Sequence, residues 1–224
     1  MKILSFESYE EYRQIQVAAN KLKYEQVFAE DPELKRVAAH FRAHGRGASL
    51  GLCHGVRNGY EVRKLRALLP AVNIVGTDIS DTVGNVQNCI VWDMHEVKPE
   101  WFGAVGFMYS NSWDHTYDPD LLFARWSECL LADGRLYLSY TDLHSEKGIN
   151  ESTKIDVFGC SLDELTRIVQ RRFVLEDLLE VSPSMTFQTW RRRIAYLRHG
   201  HVVKALTARP TSRRVHVLVL RRAT

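Results

Sequence analysis

From Ser49 onward, short apolar runs alternate with segments of helical periodicity. The runs read SLGLC, VNIVGT, NCIVWD, AVGFMY and RLYLSY. Runs this short and rich in Val, Ile and Leu are typical of strands buried on both faces of a sheet. Because such strands alternate with helices, the sequence predicts an α/β fold: a doubly wound, mostly parallel sheet of about seven strands with helices on both faces.

Capping residues and periodicity predict where the other elements lie. The first predicted helix starts at Ser8 and runs through the 21–28 region, and the second starts at Asp31-Pro32 and stops at Gly45. Three further helices are predicted at 58–69, 118–131 (ended by Ala132-Asp133-Gly134) and 161–171. Two further strands are predicted at 173–181 and 215–220. Residues 1–46 are predicted to form an N-terminal helical cap or lid on a domain of residues 47–224. Within that domain, 182–214 is either an inserted helix and loop or an excursion that faces the substrate.

Composition places the chain among ordinary globular proteins. Its 224 residues suffice for one sizeable α/β domain, and 45% are apolar and 25% charged. No apolar run approaches the length of a membrane span, and the N-terminus lacks the apolar core of a secretion signal. The four cysteines form no CxxC pair, which favours free, buried thiols and a cytoplasmic location.

The net charge of +3 hides an uneven distribution along the chain. After Glu180 there are ten Lys and Arg residues and no acid, so residues 1–180 carry 3 − 10 = −7. Basic segments of this kind, here 185–224, often meet anionic partners. A solvated, arginine-rich face is the alternative, and the sequence leaves both open.

The segment GLCHGVRNG, residues 51–59, lies between the first predicted strand of the sheet and the helix that follows. Glycines at 51 and 55 let a backbone pass close to a ligand. The dinucleotide pattern G-x-G-x-x-G is absent, and Val56, Arg57 and Asn58 crowd the turn where a pyrophosphate would bind. The loop therefore favours a nucleotide-like ligand without a pyrophosphate.

Acidic residues end the next two predicted strands. Asp78 follows Gly55 by 78 − 55 = 23 residues, close to the spacing at which an acid meets ribose hydroxyls. Asp93 ends the third strand, where a carboxylate is placed to accept a hydrogen bond from an exocyclic amine. Either acid could instead be a solvated loop carboxylate, but their order along successive strands indicates a nucleoside site.

From about Ala48 to Tyr140, and more weakly to Val181, the chain resembles the class I S-adenosylmethionine-dependent methyltransferases of small-molecule and sugar type. LGLCHGVRNG is similar to their first motif in a variant form, IVGTDIS to their ribose-binding segment and WDMHE to their adenine-contacting segment. LLADGRLYLSY is similar to their helix–turn–strand after the fourth strand. The resemblance implies a Rossmann-like fold and S-adenosyl-L-methionine as cofactor.

The resemblance also implies which residues bind that cofactor. They are Gly51, Cys53 and Gly55 at the methionine part, Asp78 at the ribose, Asp93 and Met94 at the adenine, with Ile79, Ser110 and Asn111 beside them. On the first helix, Asn20, Lys21, Lys23 and Tyr24 are candidates for closing over the cofactor, or form an ordinary solvated face.

The segment YSNSWDHTYDP, residues 109–119, follows the fourth strand of the sheet and is predicted to face the methyl group. We predict His115 as the general base, with Asp114 or Asn111 orienting the acceptor or the cofactor. The alternative is that Asp114 and His115 only cap the helix that begins at Asp118 or hydrogen-bond the loop. A metal site formed with Asp142 and His144 is a weaker alternative, and no metal is predicted.

Several functions remain open at this stage. The leading one is methyl transfer to an oxygen or nitrogen atom of a small or sugar-type, possibly anionic, acceptor. An RNA methyltransferase would use the basic C-terminal region, where Trp190 and Tyr196 interleave with arginines. A non-catalytic binding module or partner subunit is the alternative that departures from the family pattern leave open. Ser49 and Leu50 stand where that family usually has an acid before the first glycine, and Gly106 stands where it often has an Asp. The absence of G-x-G-x-x-G weighs against an NAD-dependent oxidoreductase.

Overall fold

The computed structural model describes residues 1–45, 50–181 and 215–223. The strands in this part are β1 (Lys2–Ile3), β2 (Leu50–His54), β3 (Asn73–Asp78), β4 (Cys89–Val91), β5 (Val105–Ser110), β6 (Leu130–Tyr140), β7 (Phe158–Gly159), β8 (Phe173–Val181) and β9 (Val215–Arg222). The α-helices are α1 (Tyr9–Leu22), α2 (Asp31–His44), α3 (Tyr60–Leu68), α4 (Pro119–Cys129) and α5 (Leu162–Val169).

A seven-stranded sheet organises the fold, with strand order β4-β3-β2-β5-β6-β9-β8. The strands from β4 to β6 in this order are parallel, and β9 runs antiparallel to both β6 and β8. Separately, β1 and β7 form a two-stranded antiparallel sheet. The prediction of a mostly parallel, seven-stranded α/β sheet is confirmed.

The order of the strands creates a crevice at one edge of the sheet. β2 lies between β3 and β5, so the chain leaves β2 to one side and later returns to its other side. In open α/β sheets, ligands bind beyond the carboxyl ends of the strands at such a reversal. The loops after β2, β3, β4 and β5 meet at this edge.

Two apolar clusters make up the core of the described structure. One contains Trp113, Phe123 and Trp126, and the other contains Phe41 and Phe107. Each cluster draws residues from both the sheet strands and the helices, as expected for a sheet with a helical layer on each face. This packing fixes the strand ends that carry the candidate site.

Several predicted boundaries differ from the structure, among them those of α1, α2 and α4. α1 ends at Leu22 instead of running through the 21–28 region, and α2 is capped by Glu30, with Asp31 already in the helix. α4 ends at Cys129, and Leu130 begins β6, so Ala132-Asp133-Gly134 lies within a strand instead of ending a helix. The reason is strand pairing: Leu130 pairs with Val105, and the register then shifts. The predicted segment 182–214 lies outside the described residues.

None of the helices in the described part of the chain is both long enough and apolar enough to cross a membrane. All four cysteines are free thiols, and Cys53, Cys129 and Cys160 are buried. The prediction of free, mostly buried thiols is confirmed.

We predict that Gly76→Ala destabilises the fold. A methyl group at this position in β3 would lie 2.6 Å from Val62 Cγ2, 2.8 Å from Cys89 Sγ and 2.9 Å from Val56 Cγ2. Overpacking of this kind lowers the free energy of unfolding by about 1–3 kcal/mol. Chemical denaturation measures the change.

The control is Gly84→Ala at an exposed position with helical backbone angles, φ −58° and ψ −26°. It should change the free energy of unfolding by less than about 0.5 kcal/mol. Equal stability of the two variants would contradict the close packing of α3 on β3.

Candidate functional site

A cavity of about 430 Å³, counting its open mouth, lies at the carboxyl edge of the sheet. Its wall is formed by Tyr12, Gln16, Asn20, Gly55, Thr77, Asp78, Ile79, Trp92, Asp93, Met94, Ser112 and His115. Among these, the sequence predicts Gly55, Asp78, Ile79, Asp93 and Met94 as cofactor contacts, His115 as the base and Asn20 as a candidate for closing over the cofactor. The structure therefore brings together the acidic strand ends and the candidate base.

Asp78 ends β3 and is only 3% exposed. Its carboxylate accepts hydrogen bonds from the backbone N–H of Arg57 at 2.8 Å and of Ser80 at 2.9 Å, and from Asn20 Nδ2 at 2.7 Å. Burial raises the pKa of Asp78, while these backbone donors oppose the rise. Since a carboxylate accepts about four hydrogen bonds, roughly one position stays open while Asn20 is in place.

Asp93 follows β4 and lies in a network of its own. Tyr9 Oη donates to Asp93 Oδ2 at 2.7 Å, and the His95 backbone N–H and Nδ1 lie 2.8 and 2.7 Å from Oδ1. Burial alone would raise the pKa of Asp93, but the hydrogen bonds from His95 and Tyr9 hold it below its usual value. Asp93 is thus an ionised acceptor on the cavity wall.

One face of α1 covers the cavity. Tyr12, Gln16 and Asn20 lie on its wall, and Tyr9 reaches Asp93 from the first turn. These positions recur every three or four residues, which is the spacing of one helical face. Of the four, sequence reasoning had named only Asn20, together with Lys21, Lys23 and Tyr24. The sequence spacing of Tyr12 and Gln16 indicates a shared helical face, but it does not indicate that this face docks on the cavity.

The glycine loop after β2 packs tightly against the loop after β5. Gly55 has a φ of +76°, and a methyl group there would lie 2.4 Å from Ser112 Cβ. Arg57 also has a positive φ, 44°, and its Nε donates to Asn20 Oδ1 at 3.2 Å. The loop is therefore connected both to Asp78 through the Arg57 backbone and to α1 through the Arg57 side chain.

Three predicted cofactor contacts do not reach the cavity. Gly51 lies in β2, where a methyl group would touch Ile74, Val72 and Phe107, and Cys53 is 1% exposed in the apolar core. Ser110 is fully buried, and its Oγ donates to the His54 carbonyl at 3.2 Å. The physical reason is that all three lie inside strands, so their side-chain positions face the helical layers or neighbouring strands and not the crevice.

Asn111, the remaining predicted contact, lies on a second cavity of about 210 Å³. This cavity shares Gly55 and Ser112 with the first and is also lined by Arg57 and Glu61. Glu61 Oε2 is buried and has no hydrogen-bond partner among the described residues. Burial raises the pKa of Glu61 to about 7, against the lowering effect of Arg57. A carboxyl and a guanidinium group thus lie on one small cavity.

His54, at the end of β2, is buried and packs against neighbouring side chains. Its ring stacks on Trp126 with a centroid separation of 4.9 Å, and its Nδ1 lies 2.7 Å from Thr77 Oγ1. Burial lowers the pKa of His54 to about 3, so the ring is neutral at physiological pH. It supports the strand end and does not line the cavity.

His115 lies on the cavity wall and has one ring nitrogen hydrogen-bonded to the protein. Its Nδ1 lies 2.9 Å from the Ile155 carbonyl oxygen. Because a carbonyl only accepts, Nδ1 carries the proton, and the neutral ring has its lone pair on Nε2. Nε2 lies 4.0 Å from Asp156 Oδ1. This is the tautomer that a proton acceptor or a metal ligand requires.

Asp114, the neighbour of His115, is 6% exposed. Neither residue caps α4, since Asp118 does so by accepting from the Leu121 N–H at 2.9 Å. Asp114 Oδ1 is buried without a hydrogen-bond partner among the described residues, and the ring nitrogen of His144 is 3.9 Å away. The prediction that Asp114 and His115 cap this helix is therefore wrong, whereas the alternative of a hydrogen bond to the loop is confirmed for His115, through the Ile155 carbonyl.

Comparison with solved structures identifies the fold. A Burkholderia thailandensis 1,6-didemethyltoxoflavin-N1-methyltransferase with bound 1,6-didemethyltoxoflavin and S-adenosylhomocysteine has a TM-score of 0.67 at 12% identity, over 99% of this chain and 93% of that one. A geranyl diphosphate C-methyltransferase from Streptomyces coelicolor, in complex with Mg²⁺, geranyl diphosphate and S-adenosyl-L-homocysteine, has a TM-score of 0.62 at 13% identity, over 98% and 100%. The chain has the class I S-adenosylmethionine-dependent methyltransferase fold.

The methyltransferase fold does not by itself determine the reaction. The cyclase SpnF shares it, with a TM-score of 0.64 at 13% identity over 98% of each chain. No protein-family model and no curated protein matches the sequence. Function must therefore be argued from the site.

Stability should depend on pH through Glu61. Its pKa is about 7 in the folded chain, above the ordinary value of 4.5, so the folded state binds this proton more tightly than the unfolded state. The stability linked to this proton is fully present below the ordinary pKa and is lost as pH rises through about 7. We predict that Glu61→Gln raises the melting temperature relative to wild type more at about pH 8 than at about pH 5.

Glu100→Gln, at an exposed position, is the matched control and should shift both melting temperatures alike. The same shift for Glu61→Gln at both pH values would show that Glu61 is ionised in the folded chain.

Proposed function

We propose that the chain is an S-adenosylmethionine-dependent methyltransferase with a small-molecule acceptor, including acceptors of sugar type. The observation that carries the proposal is that Asp78 and Asp93, at the ends of adjacent strands, lie on the wall of one cavity. That cavity lies at the strand reversal of a methyltransferase fold, where open α/β sheets bind their ligands. Its polar groups are acceptors suited to a nucleoside.

The nucleoside half of the cofactor is assigned to the larger cavity. Asp78 would accept from the ribose hydroxyls, and Asp93 from the exocyclic amine of the adenine, between Ile79 and Met94. When bound, S-adenosylmethionine supplies an electrophilic methyl group on a sulfonium. Asp78 is buried among backbone donors, so it is held in place before the ligand arrives, which lowers the entropic cost of binding.

The methionine half is assigned to the second cavity, which replaces the assignment to Gly51 and Cys53. The α-amino and α-carboxylate groups of a methionine carry opposite charges, and Glu61 and Arg57 on this cavity offer the complementary pair. The unpartnered Glu61 Oε2 is an acceptor that an ammonium group would satisfy. Asn111 lines the same cavity, as a cofactor contact would.

Residues 1–46 are proposed as a lid over this site. Both nucleoside-binding acids are held by α1, Asp93 through Tyr9 and Asp78 through Asn20. Since the ribose diol presents two donors and Asp78 has roughly one open position, Asn20 must give way or share Asp78 when cofactor binds. Movement of α1 would therefore accompany binding.

His115 and Asp114 are proposed to assist the acceptor. His115 Nε2 has its lone pair available at the cavity wall, next to the place where a nucleophilic oxygen or nitrogen must approach the methyl group. The main contribution of the protein to an in-line displacement is to hold the reacting atoms in line. Asp114 and His115 are the groups that would hold and polarise the acceptor.

A non-catalytic partner subunit that keeps the fold without binding the cofactor is the second candidate. The Asn20–Asp78 bond favours it, because α1 already takes up one of the acceptor positions that the cofactor needs. An RNA acceptor would rest on Trp190, Tyr196 and the arginines near them, which lie outside the described residues. Nothing in the described site favours RNA over a small molecule.

Calorimetric titration tests the cofactor. We predict that S-adenosylmethionine and S-adenosylhomocysteine bind and that NAD does not. Asp78→Asn should weaken binding at least about 10-fold, because one oxygen acceptor becomes an amide donor facing the ribose. Asp133→Asn, at an exposed position near the start of β6, is the matched control and should leave affinity unchanged. Binding of NAD alone would exclude this cofactor.

A second prediction concerns His115→Ala. It should slow turnover by about 10²-fold or more with affinity for S-adenosylhomocysteine retained, because assistance at the acceptor is lost while the cofactor contacts stay. His44→Ala, on the exposed end of α2, serves as control. Full turnover of His115→Ala would remove His115 from the reaction, and parallel loss of cofactor affinity would place it in the cofactor site instead.

A further inference from the structure

Three side chains beside the cavity bring metal-ligand atoms together. Asp114, His115 and Asp156 each offer one ligand atom, and these atoms lie within 4.8 Å of one another. We propose that they bind a divalent cation that prefers oxygen ligands, Mg²⁺ or Mn²⁺. The inference deepens the proposed function, on which its account of the acceptor rests.

The tautomer of His115 fits a metal ligand. Ligating histidines usually donate their second ring N–H to a carbonyl or carboxylate, which orients the ring. His115 does this through Nδ1 to the Ile155 carbonyl at 2.9 Å. The Nε2 lone pair is left facing Asp156 Oδ1, 4.0 Å away. A cation between the two atoms requires only a small approach of Asp156.

His144, which the sequence had grouped with Asp142 as a weaker metal alternative, does not fit. Its Nδ1 accepts from the backbone N–H of Thr141 at 2.8 Å. In the neutral ring, Nε2 then carries the proton and has no lone pair for a metal. This N–H is on the side of Asp114, with Nε2 3.9 Å from Oδ1. The structure thus replaces Asp142 and His144 with Asp156.

Asp114 supplies a second, independent observation. It is more than nine-tenths buried, and its Oδ1 has no hydrogen-bond partner in the part of the chain that the structure describes. A buried carboxylate oxygen without a partner is costly, and burial of such a charge is usually compensated by pairing or by a metal. A cation at this site would supply the missing compensation.

The segment that carries Asp156 is fixed against the segment that carries the other two ligands. The Val157 N–H donates to the Asp114 carbonyl at 3.0 Å, and Gln16 Nε2 donates to the Ile155 carbonyl at 3.0 Å. The two bonds are made by Ile155 and Val157, the residues immediately before and after Asp156. Lys23 Nζ, 3.8 Å from Asp156 Oδ1, is the ammonium group that a cation would displace.

The donor set indicates both the cation and the class of acceptor. Two carboxylates and one imidazole suit Mg²⁺ or Mn²⁺, which take about six ligands and keep positions open for waters or substrate oxygens. His115 is on the cavity wall, so open positions would face the acceptor. The acceptor is then one that offers oxygen atoms to the cation, and His115 acts as a ligand instead of a proton acceptor.

Manganese titration of the full chain, without cofactor, tests the site. Loss of the electron paramagnetic resonance signal of free Mn²⁺ should report about one site per chain, competed by Mg²⁺. Asp114→Asn and Asp156→Asn should each weaken binding on the order of 10-fold or more. Asp142→Asn, at an exposed position, is the matched control and should bind as wild type does. Thermal unfolding without metal checks that each variant folds.

The outcomes separate this inference from the proposed function. Absence of Mn²⁺ binding up to about 1 mM, or unchanged binding by Asp156→Asn, overturns the cation site. Because Asp156 is a third exposed, its variant remains informative even if Asp114→Asn does not fold. Titration with S-adenosylhomocysteine is independent of these results: cofactor binding without Mn²⁺ binding would leave the methyltransferase proposal standing and return His115 to the role of base.

Discussion

The buried carboxylate of Asp78 is the interaction on which the candidate site depends. It joins the glycine loop through Arg57 N–H, its own turn through Ser80 N–H, and α1 through Asn20. A buried acid is stable only if its oxygens accept hydrogen bonds. Asp78 therefore holds these three segments together at one point. The position of Asp78 at the strand reversal then determines where a ligand can meet it.

Much of the sheet could be predicted from the sequence because its signals are local. The apolar runs around Leu52, Val75 and Met108 are strands, since buried parallel strands require continuous apolar sequence. The end of α4 could not be predicted, because strand pairing of Leu130 with Val105, a contact distant in sequence, overrides the Ala-Asp-Gly signal.

The candidate site could also be predicted from the sequence only in part. Asp78, Asp93 and His115 lie on the cavity as strand-end positions predict. Gly51 and Cys53 do not lie on the cavity. The glycine-loop motif in the sequence does not show which of its residues still belong to the preceding strand. Tyr9 and Tyr12 were missed because their role depends on how α1 docks, which no local pattern specifies.

The acceptor side depends on proton positions that only the hydrogen-bond network shows. His115 and His144 are both near Asp114, yet one has its ring proton on the nitrogen that faces a carbonyl and the other on the nitrogen that faces Asp114. Two histidines that are alike in sequence are therefore chemically different. The same network assigns Asp156, which no motif marks, to the group around His115.

Asp78, Asp93 and His115 are proposed to surround one cofactor molecule that binds in a single orientation. The most direct measurement is a crystal structure with S-adenosylhomocysteine bound. We expect the ribose hydroxyls on Asp78, the adenine beside Asp93, the amino acid end of the ligand near Arg57 and Glu61, and the sulfur facing His115. A reversed ligand, or one bound away from Asp78, would contradict this assignment.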